Sequence, residues 1–225
     1  MLNYITTYGL MLFYYSLFFI AVATSAKSNG AELKYILSGK AEPGVLFSRL
    51  IAGIFFLGVG AASIIAIRNI NDDIFIPVWN EYYPITWILA AISIITGIIT
   101  GLKKIFSDDN SSRFLSSHLP LSYVFIRALF LIVYEFFFRG VVLFVMAEDF
   151  GFAAAVIINL ILYVLMHWYN KEERYGSVLM GIVLCAVSIY YHSVWPAITI
   201  HLSLALSHEI TLLIKYRSLI KKISI

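Results

Sequence analysis

The stretch LIVYEFFFRGVVLF, residues 131–144, decides how this chain is read. It sets a carboxylate, Glu135, and a guanidinium, Arg139, four positions apart inside an otherwise apolar run. In a helix surrounded by water the pair would be an ordinary surface contact. In hydrocarbon, both groups need a reason to be there, so the composition of the whole chain comes first.

Of the 225 residues, 61% are hydrophobic and only 13% are charged, with a mean hydropathy of +0.88. A soluble domain is nearer half apolar and a quarter charged, so the composition specifies a membrane protein. Cys185 is the one cysteine. It excludes an internal disulfide and any Cys-rich metal site, and within its apolar segment it reads as a packing residue. The net charge of +3 carries no implication of nucleic acid, because the basic residues have a topological explanation.

A spanning helix needs about 20 mostly apolar residues. Seven stretches qualify or nearly do: 4–25, 45–67, 85–102, 120–147, 152–169, 177–192 and 196–214. The first lacks a basic leading segment and stays apolar past signal-peptide length, so it reads as a retained helix. The fifth and sixth are short. No internal repeat or low-complexity stretch interrupts them. The expectation is an all-α bundle of about seven transmembrane helices forming one integral membrane domain.

Lys and Arg enrichment marks cytoplasmic loops. Lys27, Lys34 and Lys40 fall in the first loop, Lys103, Lys104 and Arg113 in the third, and Lys171 and Arg174 in the fifth. Lys215, Arg217, Lys221 and Lys222 form the tail. Between them, the second loop has only Arg68 beside Asp72, Asp73 and Glu81, and the fourth has Glu148 and Asp149. The alternation predicts an external N-terminus and a cytoplasmic C-terminus.

The topology turns the opening pair into an energetic problem. From a helix start at Pro120, Glu135 is about 22 Å along the axis, near mid-membrane. A charge there costs about 3 kcal/mol or more and usually faces a bundle interior or a wet cavity. Arg139, one turn on, can hydrogen-bond the carboxylate. Arg127, two turns earlier, extends this to a basic–acidic–basic line on the fourth helix. A structural ion pair and a functional site both fit that line.

Other helices add polar groups. His167 lies in YVLMHWYNKEE (163–173), and His201 and His208 in HLSLALSHEI (201–210), with Glu209 beside them. The latter two histidines are about 10 Å apart on one helix face. Three histidines and two glutamates on three apolar helices have a common solution in a shared polar cavity. Measured from Pro196, His208 is level with Glu135 and His167 while His201 is too shallow, unless the turn YYHSVWP (190–196) sits below the surface and carries His201 deeper. A carboxylate in such a cavity can act as general base, with imidazoles sharing the water or supporting an oxyanion. That is the equipment of metal-free hydrolysis. Without a His-Glu-x-x-His spacing, metal is the lesser expectation and no cofactor is implied.

These residues resemble the membrane-embedded CAAX prenyl endopeptidases and bacteriocin-processing proteases, the CPBP or Abi family. Its motifs are Glu-Glu-x-x-x-Arg, Phe-x-x-x-His and His-x-x-x-Asn/Asp on successive helices. YEFFFRG (134–140) resembles the first, with Glu135 and Arg139 in the second-Glu and Arg places. YVLMH (163–167) is similar to the second, with Tyr163 for Phe and His167 matching. HLSLA (201–205) looks like the third, with His201 matching. Tyr134 replaces the first Glu, and Ala205 stands where the amide or carboxylate belongs. The likeness covers 120–214.

The resemblance implies an intramembrane endopeptidase of a prokaryotic plasma membrane with Glu135, His167 and His201 as catalytic residues. Arg139, Tyr134, Tyr163, His208 and Glu209 are the supporting candidates. Its expected partners are a peptide or membrane-protein substrate and the lipid bilayer, with no nucleic acid. The oligomeric state stays open. The departures at Tyr134 and Ala205 keep a second reading alive, a non-catalytic relative that binds and regulates another membrane protein. A proton-coupled transporter is the third reading, weakened by the lack of two related halves.

Overall fold

Long apolar runs without proline interruptions leave the backbone one way to satisfy its polar groups in lipid, which is the helix. The structure, a computed structural model, describes residues 2–27, 33–37, 42–68, 70, 74–76, 84–106 and 122–223. Among the described residues all regular structure is helical, and no strand occurs. The helices are α1 (Leu2–Lys27), α2 (Leu33–Leu37), α3 (Pro43–Arg68), α4 (Pro84–Phe106), α5 (Ser122–Glu135), a π-helical turn (Phe136–Val142), α6 (Leu143–Phe150), α7 (Phe152–Leu165), α8 (Lys171–Tyr191) and α9 (Trp195–Ile223). α5, the π turn and α6 run on as one rod.

Six of these helices are long and apolar enough to cross a membrane, and α7 is a shorter apolar seventh. The chain is an integral membrane protein. Its boundaries differ from the sequence expectation at two places, and a third is not described. The proposed start of the fourth helix at Pro120 lies outside the described residues. The fifth span ends at Leu165, so His167 sits in the turn that follows rather than on the helix. The sixth is not short: α8 has 21 residues. Asn170 starts it early, its Oδ1 accepting the Glu173 N–H and its Nδ2 donating to the Glu173 carboxylate. That is an N-cap placed ahead of the apolar part.

The rod Ser122–Phe150 is the centre of the bundle. Of its apolar window 72% is buried, against 22–33% for the other five spans. The outer helices expose their apolar side chains instead, as on α4, where Ile88, Ile92, Ile95 and Ile99 face outward. Such a surface belongs in hydrocarbon, where helix association rests on close packing of small residues. α4 shows this against α9: a Cβ on Gly97 would meet the Leu204 carbonyl at 2.6 Å, and one on Gly101 the His208 carbonyl at 3.0 Å.

Polar contacts place the helix ends. Arg68, ending α3, pairs with Asp149 at 2.7 Å and Glu148 at 3.2 Å at the end of α6. The Tyr8 hydroxyl near the start of α1 also donates to Asp149. The end of α3, the start of α1 and the end of α6 therefore lie at the same end of the bundle. At the other end the short α2 buries Leu33, Ile36 and Leu37 and packs toward α9, so that part of the first connection is not a solvated loop.

The α8–α9 turn is partly interior. Ser193 and Val194 are buried, and His192 takes a left-handed backbone conformation at φ 48°. The Val194 N–H donates to the Ile74 carbonyl at 3.2 Å and the Trp195 indole N–H to the Phe75 carbonyl at 2.8 Å. Residues 74–76 thus cover the turn, and α9 begins below that cover.

Candidate active site

The π-helical turn begins immediately after Glu135 and contains Arg139. A π turn takes one extra residue into the helix and occurs frequently at functional sites. Here it is the most enclosed part of the chain: Phe137, Phe138, Arg139 and Val141 are completely buried, as is Glu135. Arg139 Nη1 lies 3.5 Å from Glu135 Oε1 and 3.3 Å from Oε2. Its guanidinium is stacked 4.1 Å from the centre of the Tyr163 ring, a cation–π contact strengthened by the dry surroundings.

α9 supplies the third member. His201 Nδ1 lies 2.5 Å from Glu135 Oε1, and its side chain is 12% exposed while that of Glu135 is fully enclosed. A carboxylate only accepts, so the imidazole donates its Nδ1–H to Glu135. The expectation that His208 would be level with Glu135 is corrected. His208 Nδ1 pairs at 3.0 Å with the Thr100 hydroxyl of α4. The buried start of α9 sets His201 deeper than its distance from Pro196 suggests.

His167 approaches from the turn after α7. Its Nδ1–H donates to the Tyr163 carbonyl at 3.0 Å, which fixes Nε2 as the lone-pair nitrogen. Its ring is 5.0 Å from that of Tyr163. Tyr163 is the hub: Tyr134 lies 5.7 Å away and His201 6.4 Å away, ring centre to ring centre. The Tyr134 ring is 6.2 Å from His201.

The structure therefore gathers Glu135, Arg139, His201, Tyr134, Tyr163 and His167, and leaves out Glu209 and His208. Glu209 belongs to a second cluster, where its Oε1 accepts from Arg127 Nε at 2.9 Å and its Oε2 from the Tyr123 hydroxyl at 2.8 Å. The expected line Arg127–Glu135–Arg139 is broken accordingly: Arg127 turns to α9. A single shared cavity for all the polar groups is replaced by two separate clusters.

In the first cluster several polar atoms are enclosed without a hydrogen bond: Glu135 Oε2, Arg139 Nε and Nη2, and the Tyr134 hydroxyl. Arg139 is close enough to Oε2 to neutralise it but poorly aligned for a hydrogen bond. Buried polar groups are nearly always paired, so this set stands apart from the paired groups elsewhere among the described residues. As for a metal, among the described residues no group of three or more His, Cys, Asp or Glu is placed to hold one.

Sequence reasoning missed Asn159. It is completely buried on α7, donates from Nδ2 to the Phe138 carbonyl at 2.5 Å and accepts from Cys185 at 3.4 Å. Its signal was plain enough, a lone amide in FAAAVIINLILYVL. Cys185 is buried, as a packing residue should be, and also makes this polar contact.

A central helix broken by a π turn, with an acid, a guanidinium and imidazoles gathered around it, defines an α-helical membrane protein with an enclosed polar cluster. Residues 116–206 match the family described as Rce1-like, the type II CAAX prenyl endopeptidases, and this match supports the CAAX/CPBP protease family over the segment that carries the three motifs. A comparison with curated proteins finds no match. A comparison with solved structures finds none either.

Proposed function

We propose that the chain is an intramembrane endopeptidase in which Glu135 and His167 activate water and His201 supports the developing oxyanion. The observation that carries this reading is the split state of the Glu135 carboxylate. Oε1 is held by His201, while Oε2 is buried beside Arg139 with no hydrogen bond of its own. Oε2 can take a proton from water as its oxygen attacks the peptide carbonyl, and the leaving amine then receives that proton. His167 Nε2 is the second acceptor available to the same water. Arg139 Nε and Nη2 and the Tyr134 hydroxyl are unspent donors for negative charge on the carbonyl oxygen, and they stand in where Ala205 donates nothing.

The test is turnover by the purified protein in liposomes, offered a fluorogenic peptide with a farnesylated CAAX terminus and its unprenylated twin. Glu135→Gln and His167→Ala should each lose cleavage while remaining folded and inserted. Retained cleavage in both would remove those roles. The competing reading, a non-catalytic regulator, is favoured by Tyr134 in the first-Glu place. It expects no turnover by the native chain and a gain of turnover in the Tyr134→Glu, Ala205→Asn double variant.

A further inference from the structure

We propose that Asn159 is a positioning residue: its side-chain amide locks the π-helical turn to α7 and so holds Glu135 and Arg139 in register with Tyr163 and His167. The activity arm of this inference rests on the endopeptidase reading; the structural arm does not.

Asn159, Tyr163 and His167 are spaced four and four, which puts the first two on one face of α7 and His167 just past its end. All three meet the site. The Asn159 amide reaches the Phe138 carbonyl at 2.5 Å, and one turn on, the Tyr163 ring covers the Arg139 guanidinium at 4.1 Å. α7 therefore grips two successive residues of the π turn, one by its backbone and the next by its side chain.

The backbone grip has a specific purpose. In an α-helix the Phe138 carbonyl would accept from the residue four positions on; here it accepts from the Leu143 N–H, five positions on. A carbonyl has a second lone pair, and Asn159 occupies it. The other end of the amide is satisfied by the Cys185 thiol of α8, so the side chain is held from both sides. Return of the turn to α geometry would remove one residue from the helix, a rotation of about 100° between the parts on either side. Glu135 sits on one side of that joint and the grip on the other. A buried amide in an apolar helix is costly unless paired, and no other residue of α7 could supply this donor.

The measurement is amide hydrogen exchange over residues 136–143 of the full chain in lipid nanodiscs, with the isosteric Asn159→Leu variant against the native protein. Exchange at Val142 and Leu143 should speed up by about tenfold, the equivalent of one lost buried hydrogen bond. Cleavage of the farnesylated peptide should show kcat down by about tenfold with KM within about twofold, the mark of lost transition-state alignment rather than lost binding. Should the leucine variant fail to insert, Asn159→Ser decides by the same exchange measurement, since its hydroxyl is too short to reach Phe138. Native exchange in an inserted variant overturns the proposal. Faster exchange in the variant, with no cleavage by the native chain, keeps the lock and removes the endopeptidase reading.

Discussion

The molecule contains the same chemistry twice, and the two copies differ in one respect. Glu135 with Arg139 and His201, and Glu209 with Arg127 and Tyr123, are both carboxylates held by a guanidinium and a second donor. Each joins the central rod to α9. Around Glu209 both carboxylate oxygens receive a hydrogen bond. Around Glu135 one oxygen does and the other does not, while two guanidinium nitrogens and a neighbouring phenol donate none. A fully paired buried charge can only hold helices together. One left partly unpaired has capacity to bind a further polar group, at a cost in stability. Satisfaction, rather than residue type, separates the pin from the candidate site.

The comparison breaks most sharply at the two carboxylates. Glu135→Gln keeps the shape and removes the base, so turnover of the farnesylated peptide should fall about 10³–10⁴-fold with detergent unfolding little changed. Initial rates in liposomes check it, and a variant with more than a tenth of native rate would return Glu135 to the structural class. Next in size is Arg139→Leu. It strands an ionised carboxylate in the most enclosed part of the chain and should cost about 3 kcal/mol in unfolding equilibria. Double substitution with Glu135→Gln should recover most of that loss, which a merely space-filling arginine would not allow.

The reverse behaviour is expected at the pin. Glu209→Gln should lose about 1–2 kcal/mol of stability, because two charge-assisted hydrogen bonds become neutral ones. Turnover should stay within about threefold of native, as no transition-state contact is lost. A large loss of turnover with unchanged unfolding would merge the two clusters into one functional unit and restore the single cavity expected from the sequence.

The spans were legible because hydropathy in lipid is a composition property, and each lies within a few residues of its helix. Where they failed, a local or distant hydrogen bond decided. α8 begins early because Asn170 caps it, a signal present in the residues NKEE (170–173) but outvoted by their charge. α7 ends early at a turn whose backbone bonds no hydropathy window reports. The π turn was invisible: FFFRGVV has no proline, and its extra residue is stabilised from α7 by Asn159. Pairing was legible in part. Glu135 with Arg139 follows from a spacing of four, whereas Arg127 with Glu209 joins residues 82 apart in the chain.

The choice between His201 and His208 shows most clearly why the remainder was hidden, and it yields the smallest effect. Seven residues apart on one helix, they were ranked by depth counted from Pro196. That count assumed the α8–α9 turn lies at the surface, whereas residues 74–76 bond to Val194 and Trp195 and close over it. The depth of His201 is therefore set by a segment about 120 residues earlier in the chain. His208 instead contributes a contact to Thr100 where the glycines of α4 bring the two helices close. His208→Ala should cost about 0.6 kcal/mol, the average for an interhelical hydrogen bond in a membrane, and leave turnover near native. His201→Ala should remove turnover and leave the α4–α9 contact intact. The opposite pattern, measured on the same peptide and by the same unfolding curves, would mean that the imidazole serving Glu135 is the deeper one by sequence count, and that the buried turn does not set the register of α9.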